Sequence, residues 1–422
     1  MSTINPRSKR AFFLIADGLG DRPIAEMDGK TPLEYAETPA LDHLVKEGMA
    51  GLIHPYKAGT RCGTDWGHFS LFGLDPKNFY TGRGPIEAYS AGLKLKTGDI
   101  AFRGNFATVD EALRVIDRRA GRISDAGDIR ELLAAVEGLE KNGCSLQLKA
   151  LTEHRLAVVL RGEGLGGRVA DVDPGTAREG EKVRDPRPLA RTPEDQKAAD
   201  ALAALLDEVH KIWQAHPVNK RRREAGKLPA NYILTRGSGK AMMPPPFTER
   251  YPGAKVAVIA GDDTITGIGE MCGFKGFRRE SFTGSFDTDY RGKAELAQKL
   301  SRDYDLVIVH IKGTDLAGHD NLPFKKAEIV EHIDKIFRYW REENKGKDYY
   351  YALAADHSTP CVRRDHSADP VPAFISGRDV RKDAVVSFGE RMCRAGLLNN
   401  YTGPAFMGTI MDYLELCPKL GA

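Results

Sequence analysis

The stretch YYYALAADHSTPCVRRDHSADPVPAFI, residues 349–375, contains two strand-like apolar runs with two Asp-His pairs between them. The first run ends in Asp356 and His357, and Asp365 and His366 follow after one short polar loop. Carboxylates and imidazoles at a strand end are typical of divalent-metal sites, because ligands usually bind at strand ends in α/β sheets. Taken alone, the stretch fits two surface dipeptides equally well, so the rest of the chain must decide.

Short apolar runs recur along the chain and are separated by amphipathic segments. The clearest apolar runs lie at 11–17, 51–56, 156–160, 231–235, 255–260, 305–311, 349–356 and 371–375. Helical patterns lie between them, at 38–48, 128–143 and 199–216. Continuous apolar strands that alternate with amphipathic helices predict an α/β fold, with a mostly parallel sheet covered by helices on both faces.

The 422 residues leave room for two domains or for one domain with a large insertion. Residues 161–195 are rich in Gly, Pro, Arg and Asp without a sustained period, which predicts a long functional loop or a connection between domains. The candidate metal ligands described below fall near the two ends of the chain. We therefore expect the middle of the chain to form a domain that is inserted into a catalytic domain.

Composition excludes several classes of protein. The 62 basic and 59 acidic side chains give a net charge of +3, too small to indicate nucleic acid or a membrane surface as partner. No apolar stretch approaches the ~20 residues that span a bilayer. Six dispersed cysteines without a CxxC pair argue against structural zinc and a secreted disulfide framework. We expect a cytoplasmic protein and leave a homo-oligomer open.

Three further loops carry candidate ligands. Asp17 ends the first apolar run and opens the glycine-rich loop DGLGDRP, whose tight turn can direct the carboxylate into a site. Thr64 follows a glycine in TRCGTDWGHFS, where a hydroxyl is most often a helix N-cap and alternatively a metal-activated nucleophile. Asp315 and His319 follow another apolar run with i, i+4 spacing, so they face the same way on one helical turn.

The candidate ligands are three carboxylates, three imidazoles and one hydroxyl: Asp17, Asp315, Asp356, His319, His357, His366 and Thr64. Such a set can fill two sites roughly 3.5–4 Å apart, as two-metal phosphoryl-transfer enzymes require. Mixed oxygen and nitrogen ligands without thiolate favour transition metals over Ca²⁺ or an iron–sulfur cluster. We expect two divalent ions, Mn²⁺ first, with Zn²⁺ and Co²⁺ as alternatives.

Eight motifs resemble the archaeal-type branch of the cofactor-independent phosphoglycerate mutases, within the alkaline phosphatase superfamily. They extend over nearly the whole chain: IADGLGDRP, KTPLEYAETPALDHLVKEG, FGLDPKNFYTGRGPIEA, GDIAFRGNFATVD, DRRAGRISD, HRLAVVLRGEGLG, IKGTDLAGHD and DHSTP…DHSADPVP. The resemblance implies an isomerase of glycolysis and gluconeogenesis that interconverts 3-phosphoglycerate and 2-phosphoglycerate. It also implies a phosphothreonine intermediate on Thr64 and independence from 2,3-bisphosphoglycerate.

The resemblance further divides the ligands between two metal ions. One ion would be held by Asp17, Thr64, Asp356 and His357, and the other by Asp315, His319 and His366. It assigns no ligand role to Asp365. It also implies a discontinuous catalytic domain, 1–80 and 241–422, and a smaller inserted α/β domain, 81–240, that closes over the substrate.

A small phosphorylated carboxylic acid requires cationic side chains, and the bidentate geometry of arginine suits both of its anionic groups. The candidates are Arg83, Arg103, Arg118, Arg119, Arg161, Arg236 and Lys293, with Arg168 as a further one. For any single one, a solvated surface charge is the simpler interpretation. The exceptions that we favour are Arg83, in TGRGP, and Arg118 and Arg119, in DRRAGR.

The chain departs from the family at the expected nucleophile. Members of this branch typically carry serine in a context such as PGSDTAH, where residues 62–68 here are CGTDWGH. Threonine still supplies an oxygen nucleophile, but its methyl group restricts χ1 and crowds the attack. Trp66 and His68 in this segment are interpreted as packing or loop residues. Two alternatives therefore stay open: a phosphohydrolase or phosphomutase acting on another small phosphorylated metabolite, and an inactive binding or regulatory protein.

Two other patterns are set aside. Residues 162–167, GEGLGG, match GxGxxG, but Pro174 breaks the segment where a dinucleotide site needs a helix. The run KRRRE, 220–224, is interpreted as a solvated helical face.

Overall fold

The computed structural model describes residues 9–175 and 180–421, which divide into two compact units. The first unit consists of the residues up to Asn78 and from Pro244 onwards, and the second is Phe79–Met243. The predicted insert, 81–240, lies within the second unit. That unit is one continuous segment of chain that interrupts the first.

The described residues form thirteen strands and fifteen α-helices. The strands are β1 (Arg10–Ala16), β2 (Gly48–Ile53), β3 (Ile100–Val109), β4 (Val115–Asp117), β5 (Glu140–Lys141), β6 (Cys144–Ala150), β7 (Arg155–Arg161), β8 (Tyr232–Lys240), β9 (Val256–Ile259), β10 (Lys275–Phe277), β11 (Leu306–Ile311), β12 (Tyr349–Ala354) and β13 (Val371–Ser376). The helices are α1 (Pro32–Tyr35), α2 (Pro39–Lys46), α3 (Thr64–Leu71), α4 (Pro76–Phe79), α5 (Arg83–Ser90), α6 (Ala126–Ala134), α7 (Pro193–Ala215), α8 (Pro217–Glu224), α9 (Phe247–Arg250), α10 (Asp263–Met271), α11 (Tyr290–Leu300), α12 (Gly313–His319), α13 (Pro323–Glu343), α14 (Glu390–Cys393) and α15 (Gly403–Tyr413). None of these helices combines the length and the apolar character needed to cross a bilayer.

The sheet of the first unit has seven strands in the order β10-β9-β11-β1-β12-β13-β2. The first five are mutually parallel, while β13 runs antiparallel to both of its neighbours. Successive residues of a strand point to opposite faces. Phe12 accordingly stacks on Trp340 of α13, and Phe13 contacts Phe406 of α15. The predicted α/β fold, with a mostly parallel sheet between helices, is confirmed.

The central strand β1 lies between β11 and β12, and both neighbours are parallel to it. Ala16 pairs with Ile311, and Ile15 pairs with Ala354. The carboxyl ends of the three strands therefore meet at one edge of the sheet. The loops that follow them begin side by side.

The second unit has an antiparallel sheet of six strands, in the order β4-β3-β7-β6-β5 with β8 paired to β3. Helix α7 buries Leu202, Leu206 and Val209 in the hydrophobic core of this unit. Trp213 of the same helix stacks on Phe106 of β3, with ring centroids 5.2 Å apart. All members of this core lie between residues 100 and 234, so the second unit has a core of its own.

Two predicted elements differ from the structure. The helix predicted at 128–143 ends at Ala134, because the chain turns into the hairpin formed by β5 and β6. Asn142 and Gly143 have φ angles of 52° and 70°, as a two-residue type I′ turn requires. The interpretation of 220–224 as a solvated face is wrong for Arg222, which is buried and contacts Asp128.

The segment predicted to be a long loop, 161–195, contains few regular elements. Between β7 and α7 the described residues form only isolated bridges, and residues 176–179 lie outside the described part of the chain. The described residues between GEGLGG and α7 contain no helix.

Candidate metal centre

Three buried carboxylates converge where β1, β11 and β12 end. Asp17 follows β1 directly, Asp315 lies on α12 after β11, and Asp356 follows β12; each is at most 2% exposed. The turn at Gly18 allows this approach, since its φ is 62° and a Cβ there would lie 2.8 Å from Asp315 Oδ1. Its amide also donates to Asp356 Oδ1. A side chain at this position would force the carboxylates apart.

The first ligand group consists of Asp17, Asp356 and His357, whose candidate ligand atoms all lie within 4.8 Å of one another. His357 Nε2 lies 3.3 Å from Asp17 Oδ1 and 3.1 Å from Asp356 Oδ2. Thr64 Oγ1 lies 3.2 Å from the same nitrogen. The four residues predicted for one metal ion therefore face a common point.

The second ligand group consists of Asp315, His319 and His366, with the same mutual limit of 4.8 Å. The Nε2 atoms of the two histidines lie 3.4 and 3.6 Å from Asp315 Oδ1. The His366 ring stacks on the ring of His357, with centroids 3.6 Å apart, so the two groups adjoin. The structure thus brings together all seven predicted ligands.

Hydrogen bonds orient these side chains in the way that a divalent cation needs. His319 Nδ1 lies 3.0 Å from the carbonyl of Arg364, and His366 Nδ1 lies 2.8 Å from the carbonyl of Cys62. A carbonyl only accepts, so each Nδ1 is protonated and each neutral ring keeps its lone pair on Nε2. Asp17 Oδ1 and Asp356 Oδ2 are buried and accept no hydrogen bond from the described residues, although ring nitrogens of His357 and His68 lie 3.1–3.3 Å from them. These donors fit a divalent cation.

The electrostatic field of the centre attracts positive charge. Burial alone would lower the pKa of His357, but Asp356, Asp17 and Asp315 raise it above its ordinary value. Burial likewise opposes ionisation of Asp356, yet His357 and His68 hold the pKa of that carboxyl well below its usual range. Carboxylates that stabilise an imidazolium would stabilise a doubly charged ion more strongly.

Thr64 is the first residue of α3, and it is 7% exposed. Gly63 is the N-cap of this helix, so the interpretation of Thr64 as the cap is wrong. The helix approaches the ligand loop closely at Gly67, where a Cβ would lie 2.3 Å from the carbonyl oxygen of Asp356. The hydroxyl therefore lies at a positive helix end, beside the first ligand group.

Lys312 belongs to the centre, although the sequence interpretation omitted it. Its Nζ lies 3.0 Å from Asp17 Oδ2 and 2.6 Å from Asp315 Oδ2. Burial opposes the charge of Lys312, but the neighbouring carboxylates raise its pKa. The signal was present, because Lys312 precedes Asp315 by three residues within IKGTDLAGHD.

Two fully buried histidines support the carboxylates. His68 Nδ1 lies 2.7 Å from the carbonyl of Thr64 and 3.3 Å from Asp356 Oδ2. His310 Nε2 lies 3.0 Å from Asp17 Oδ2. His68 follows Thr64 by four residues, which places both on one face of α3. His310 lies inside an apolar strand, where no sequence pattern indicated it.

Asp365 lies outside both ligand groups and pairs with Arg61.

Three of the substrate-binding candidates converge in the second unit. Arg103 of β3 pairs in register with Arg236 of β8, and burial together with Arg103 and Arg118 lowers the pKa of Arg236. Arg103 contacts Glu87 at 2.6 Å, and Arg118 Nε contacts Asp173 at 2.8 Å. The cluster thus has three guanidinium groups and two carboxylates.

The other candidates are dispersed. Arg161 binds both oxygens of Asp99, at 2.9 and 2.7 Å. Arg83 is exposed at the start of α5, and Arg119 is half-buried. Lys293 is fully buried, donates to the carbonyl of His310, and has a pKa lowered by burial to about 8. Their substrate roles stay predictions.

Comparison with known proteins identifies relatives of this chain. The family model described as 2,3-bisphosphoglycerate-independent phosphoglycerate mutase matches residues 45–219. The chain is 42% identical over 416 residues to 2,3-bisphosphoglycerate-independent phosphoglycerate mutase 1 of Methanocaldococcus jannaschii, covering 99% of this chain and 100% of that one. The mutase of Thermococcus kodakarensis is 41% identical over 418 residues, covering 99% and 100%.

Solved structures agree with these relatives. The cofactor-independent phosphoglycerate mutase of Thermoplasma acidophilum superposes with a TM-score of 0.74 at 32% identity, covering 96% of this chain and 100% of that one. A protein of Pyrococcus horikoshii superposes with a TM-score of 0.79 at 35% identity, covering 98% and 100%. The class is thus an α/β isomerase. The chain belongs to the family of 2,3-bisphosphoglycerate-independent phosphoglycerate mutases, which confirms the predicted resemblance.

Proposed function

We propose that the protein is a metal-dependent phosphoglycerate mutase that interconverts 3-phosphoglycerate and 2-phosphoglycerate through a phosphothreonine on Thr64. The observation that carries this proposal is the position of the Thr64 hydroxyl, 3.2 Å from His357 Nε2 and beside the first ligand group. The names of the relatives state independence from 2,3-bisphosphoglycerate. The proposed reaction accordingly needs no such cofactor, and its place is in glycolysis and gluconeogenesis.

The two ligand groups are proposed to hold two divalent ions, Mn²⁺ first and Zn²⁺ or Co²⁺ as alternatives. Asp17, Thr64, Asp356 and His357 would hold one ion, and Asp315, His319 and His366 the other. When bound, these ions supply positive charge that lowers the pKa of a nearby hydroxyl and neutralises phosphoryl oxygens.

The protein's own residues position the two transfers. The Thr64 hydroxyl gives up its proton as Oγ1 attacks the phosphorus of the substrate, the bond from phosphorus to the glycerate oxygen breaks, and that oxygen takes up a proton. In the second transfer the other glycerate hydroxyl gives up its proton as it attacks the phosphothreonine, the bond from phosphorus to Thr64 Oγ1 breaks, and Oγ1 takes up a proton. The amides at the N-terminus of α3 and the ammonium of Lys312 offer positive charge to the phosphoryl group in both steps.

The arginine cluster of the second unit is proposed to bind the carboxylate of the substrate. Arg103, Arg118 and Arg236 carry three positive charges, and Glu87 and Asp173 neutralise two of them. The remaining charge matches one carboxylate. Retention of the glycerate and exclusion of water are what separate a mutase from a phosphatase, because water would hydrolyse the phosphothreonine.

The test is a matched pair of variants at the nucleophile. Thr64→Ala removes the oxygen and is expected to abolish turnover, whereas Thr64→Ser keeps the oxygen and is expected to stay active. Mass spectrometry of protein quenched during turnover should locate a phosphate on residue 64 in the wild type and in Thr64→Ser. Full activity of Thr64→Ala would rule the proposal out. Release of inorganic phosphate in place of 2-phosphoglycerate would favour a phosphohydrolase.

A further inference from the structure

Thr359 is a fully buried residue in the loop after β12, and its main chain is fixed on both sides. Its amide lies 3.3 and 3.1 Å from the carbonyls of Gly18 and Gly20, in the loop that carries Asp17. Its carbonyl accepts a hydrogen bond from Lys326 Nζ at 3.0 Å. Lys326 is itself fully buried and pairs with Asp21 of the same loop. The side chain of Thr359 therefore projects from a backbone that cannot easily shift.

The hydroxyl of Thr359 lies between the two ligand groups. Oγ1 is 2.7 Å from Asp315 Oδ1 and 3.0 Å from His357 Nδ1. A hydroxyl has one proton, and an ionised carboxylate can only accept. Asp315 pairs through Oδ2 with the ammonium of Lys312 at 2.6 Å, as an ionised carboxylate does, so its Oδ1 accepts the proton of Thr359. His357 Nδ1 must then donate to Thr359.

The direction of this hydrogen bond decides which ring nitrogen of His357 keeps a free lone pair. With Nδ1 protonated, the lone pair of the neutral ring lies on Nε2, which faces Asp17, Asp356 and Thr64. His319 and His366 obtain the same tautomer from main-chain carbonyls. His357 obtains it from a side chain that also fixes a carboxylate of the other ligand group.

We propose that Thr359 is a positioning residue that couples the two metal sites of the centre. Through the chain from His357 to Thr359 to Asp315, one hydroxyl orients a ligand of each group. The inference rests on the proposed metal dependence. It predicts that removal of this hydroxyl weakens both sites together.

Three variants distinguish the effect of losing the hydroxyl of Thr359 from the effect of changing the shape of its side chain. Thr359→Val keeps the volume and loses the hydrogen bonds, while Thr359→Ser keeps the hydroxyl and loses the methyl group. That methyl group packs at Gly318, where a Cβ would lie 2.8 Å from it. Ser358→Ala is the matched control, since it removes the neighbouring buried hydroxyl, which donates to the carbonyls of Asp369 and Pro370 and not to a candidate ligand.

The first measurement is calorimetric titration of metal-stripped full-length protein with Mn²⁺. The wild type should bind two ions, and Thr359→Val should bind both about 10–100-fold more weakly, the usual effect of removing a partner of a metal ligand. Thr359→Ser and Ser358→Ala should bind like the wild type. Unchanged affinities in Thr359→Val, or a loss at one site only, would overturn the proposal.

The second measurement is ¹⁵N NMR of histidine-labelled, metal-stripped protein, titrated to a pH at which the His357 ring is neutral, with the His357 signal assigned by its loss in His357→Gln. The wild type and Thr359→Ser should show the Nδ1–H tautomer, and Thr359→Val a mixture of both. Absence of the Nδ1–H tautomer in the wild type would contradict the hydrogen-bond chain without any metal. A wild type that binds no Mn²⁺ would contradict the proposed function instead, so the two failures can be distinguished.

Discussion

At the scale of single residues, Lys312 places a positive charge between carboxylates of the two ligand groups. Removal of one partner from a buried charge network leaves the other charges uncompensated and destabilises a protein. We expect Lys312→Met to lower the unfolding temperature in EDTA, and Mn²⁺ to restore more stability in this variant than in the wild type.

Thermal unfolding in EDTA and in Mn²⁺ checks this prediction. Lys325→Met is the control, because Lys325 pairs with Glu328 at the surface and lies outside the centre. An equal response to Mn²⁺ in Lys312→Met and the wild type would contradict the role given to the ammonium group.

Glu390 predicts a pH dependence of stability near the first ligand loop. It accepts from the amide of Asp21 at 3.1 Å and from Thr31 Oγ1 at 2.6 Å, and burial raises its pKa to about 7. The folded state keeps this proton at pH values where the unfolded chain has lost it. The contribution is therefore fully present below the unfolded value of 4.5 and is lost as pH rises to about 7.

Glutamine does not ionise, so Glu390→Gln should not lose stability in this way. The unfolding temperature of the variant should therefore rise, relative to that of the wild type, as the pH is raised from 5 to 8. The exposed Glu343→Gln serves as the control, with no pH-dependent difference expected. A constant difference between Glu390→Gln and the wild type across this range would contradict the assignment.

Five of the seven candidate ligands could be predicted because they lie just beyond an apolar run or show helical spacing, whereas Thr64 and His366 were found from a polar glycine loop and a repeated Asp-His pair. Thr359 could not be found in this way, since its role depends on contacts with Gly18, Asp315 and Lys326, which lie on three other segments. Such roles arise from packing between segments that are distant in sequence, and no local pattern records them.

At the scale of elements, α2 depends on a cap from another helix. Its N-cap residue, Thr38, makes no side-chain capping bond, but Asp334 Oδ1 of α13 accepts from the amides of Ala40 and Leu41 at 2.8 and 2.9 Å. These bonds satisfy two of the amides that a helix start leaves without partners. They also tie α2 to α13.

Asp334→Ala should therefore lower the free energy of unfolding by about 1–3 kcal/mol, since it leaves buried amides without an acceptor. Asp334→Asn keeps an acceptor oxygen and should cost less. Denaturant unfolding of both variants checks the order. Equal losses in the two variants would show that the charge, and not the cap, is what matters.

All eight predicted apolar runs overlap strands, because a strand that is buried on both faces usually has a continuous apolar sequence. β3 was missed, since Arg103, Gly104 and Asn105 interrupt its apolar pattern. The helix at 128–143 was extended too far because its apolar spacing continues past the point where Asn142 and Gly143 turn the chain. Turn chemistry overrides periodicity at that point.

At the scale of the whole molecule, the second unit has its own core and contains none of the seven predicted ligands. Residues 79–243 expressed alone should therefore unfold cooperatively and should not respond to Mn²⁺. The full chain should be stabilised by Mn²⁺, because an ion that binds only the folded state raises its stability.

Calorimetry of the fragment and of the full chain checks both parts of this prediction. A fragment without a cooperative transition would show that its core depends on the first unit. The parallel sheet of the first unit could be predicted from alternating strands and helices, whereas the antiparallel sheet of the second could not, because several of its strands lack continuous apolar runs.

The most direct test of the metal-dependent mutase is product analysis with metal-stripped protein and 3-phosphoglycerate. We predict no turnover without metal, and formation of 2-phosphoglycerate without net release of inorganic phosphate once Mn²⁺ is added, with Zn²⁺, Co²⁺ and Mg²⁺ supplied in parallel. Phosphorus NMR follows both products in one sample. Full turnover of the stripped protein, or no 2-phosphoglycerate with any of the four ions, would contradict this account.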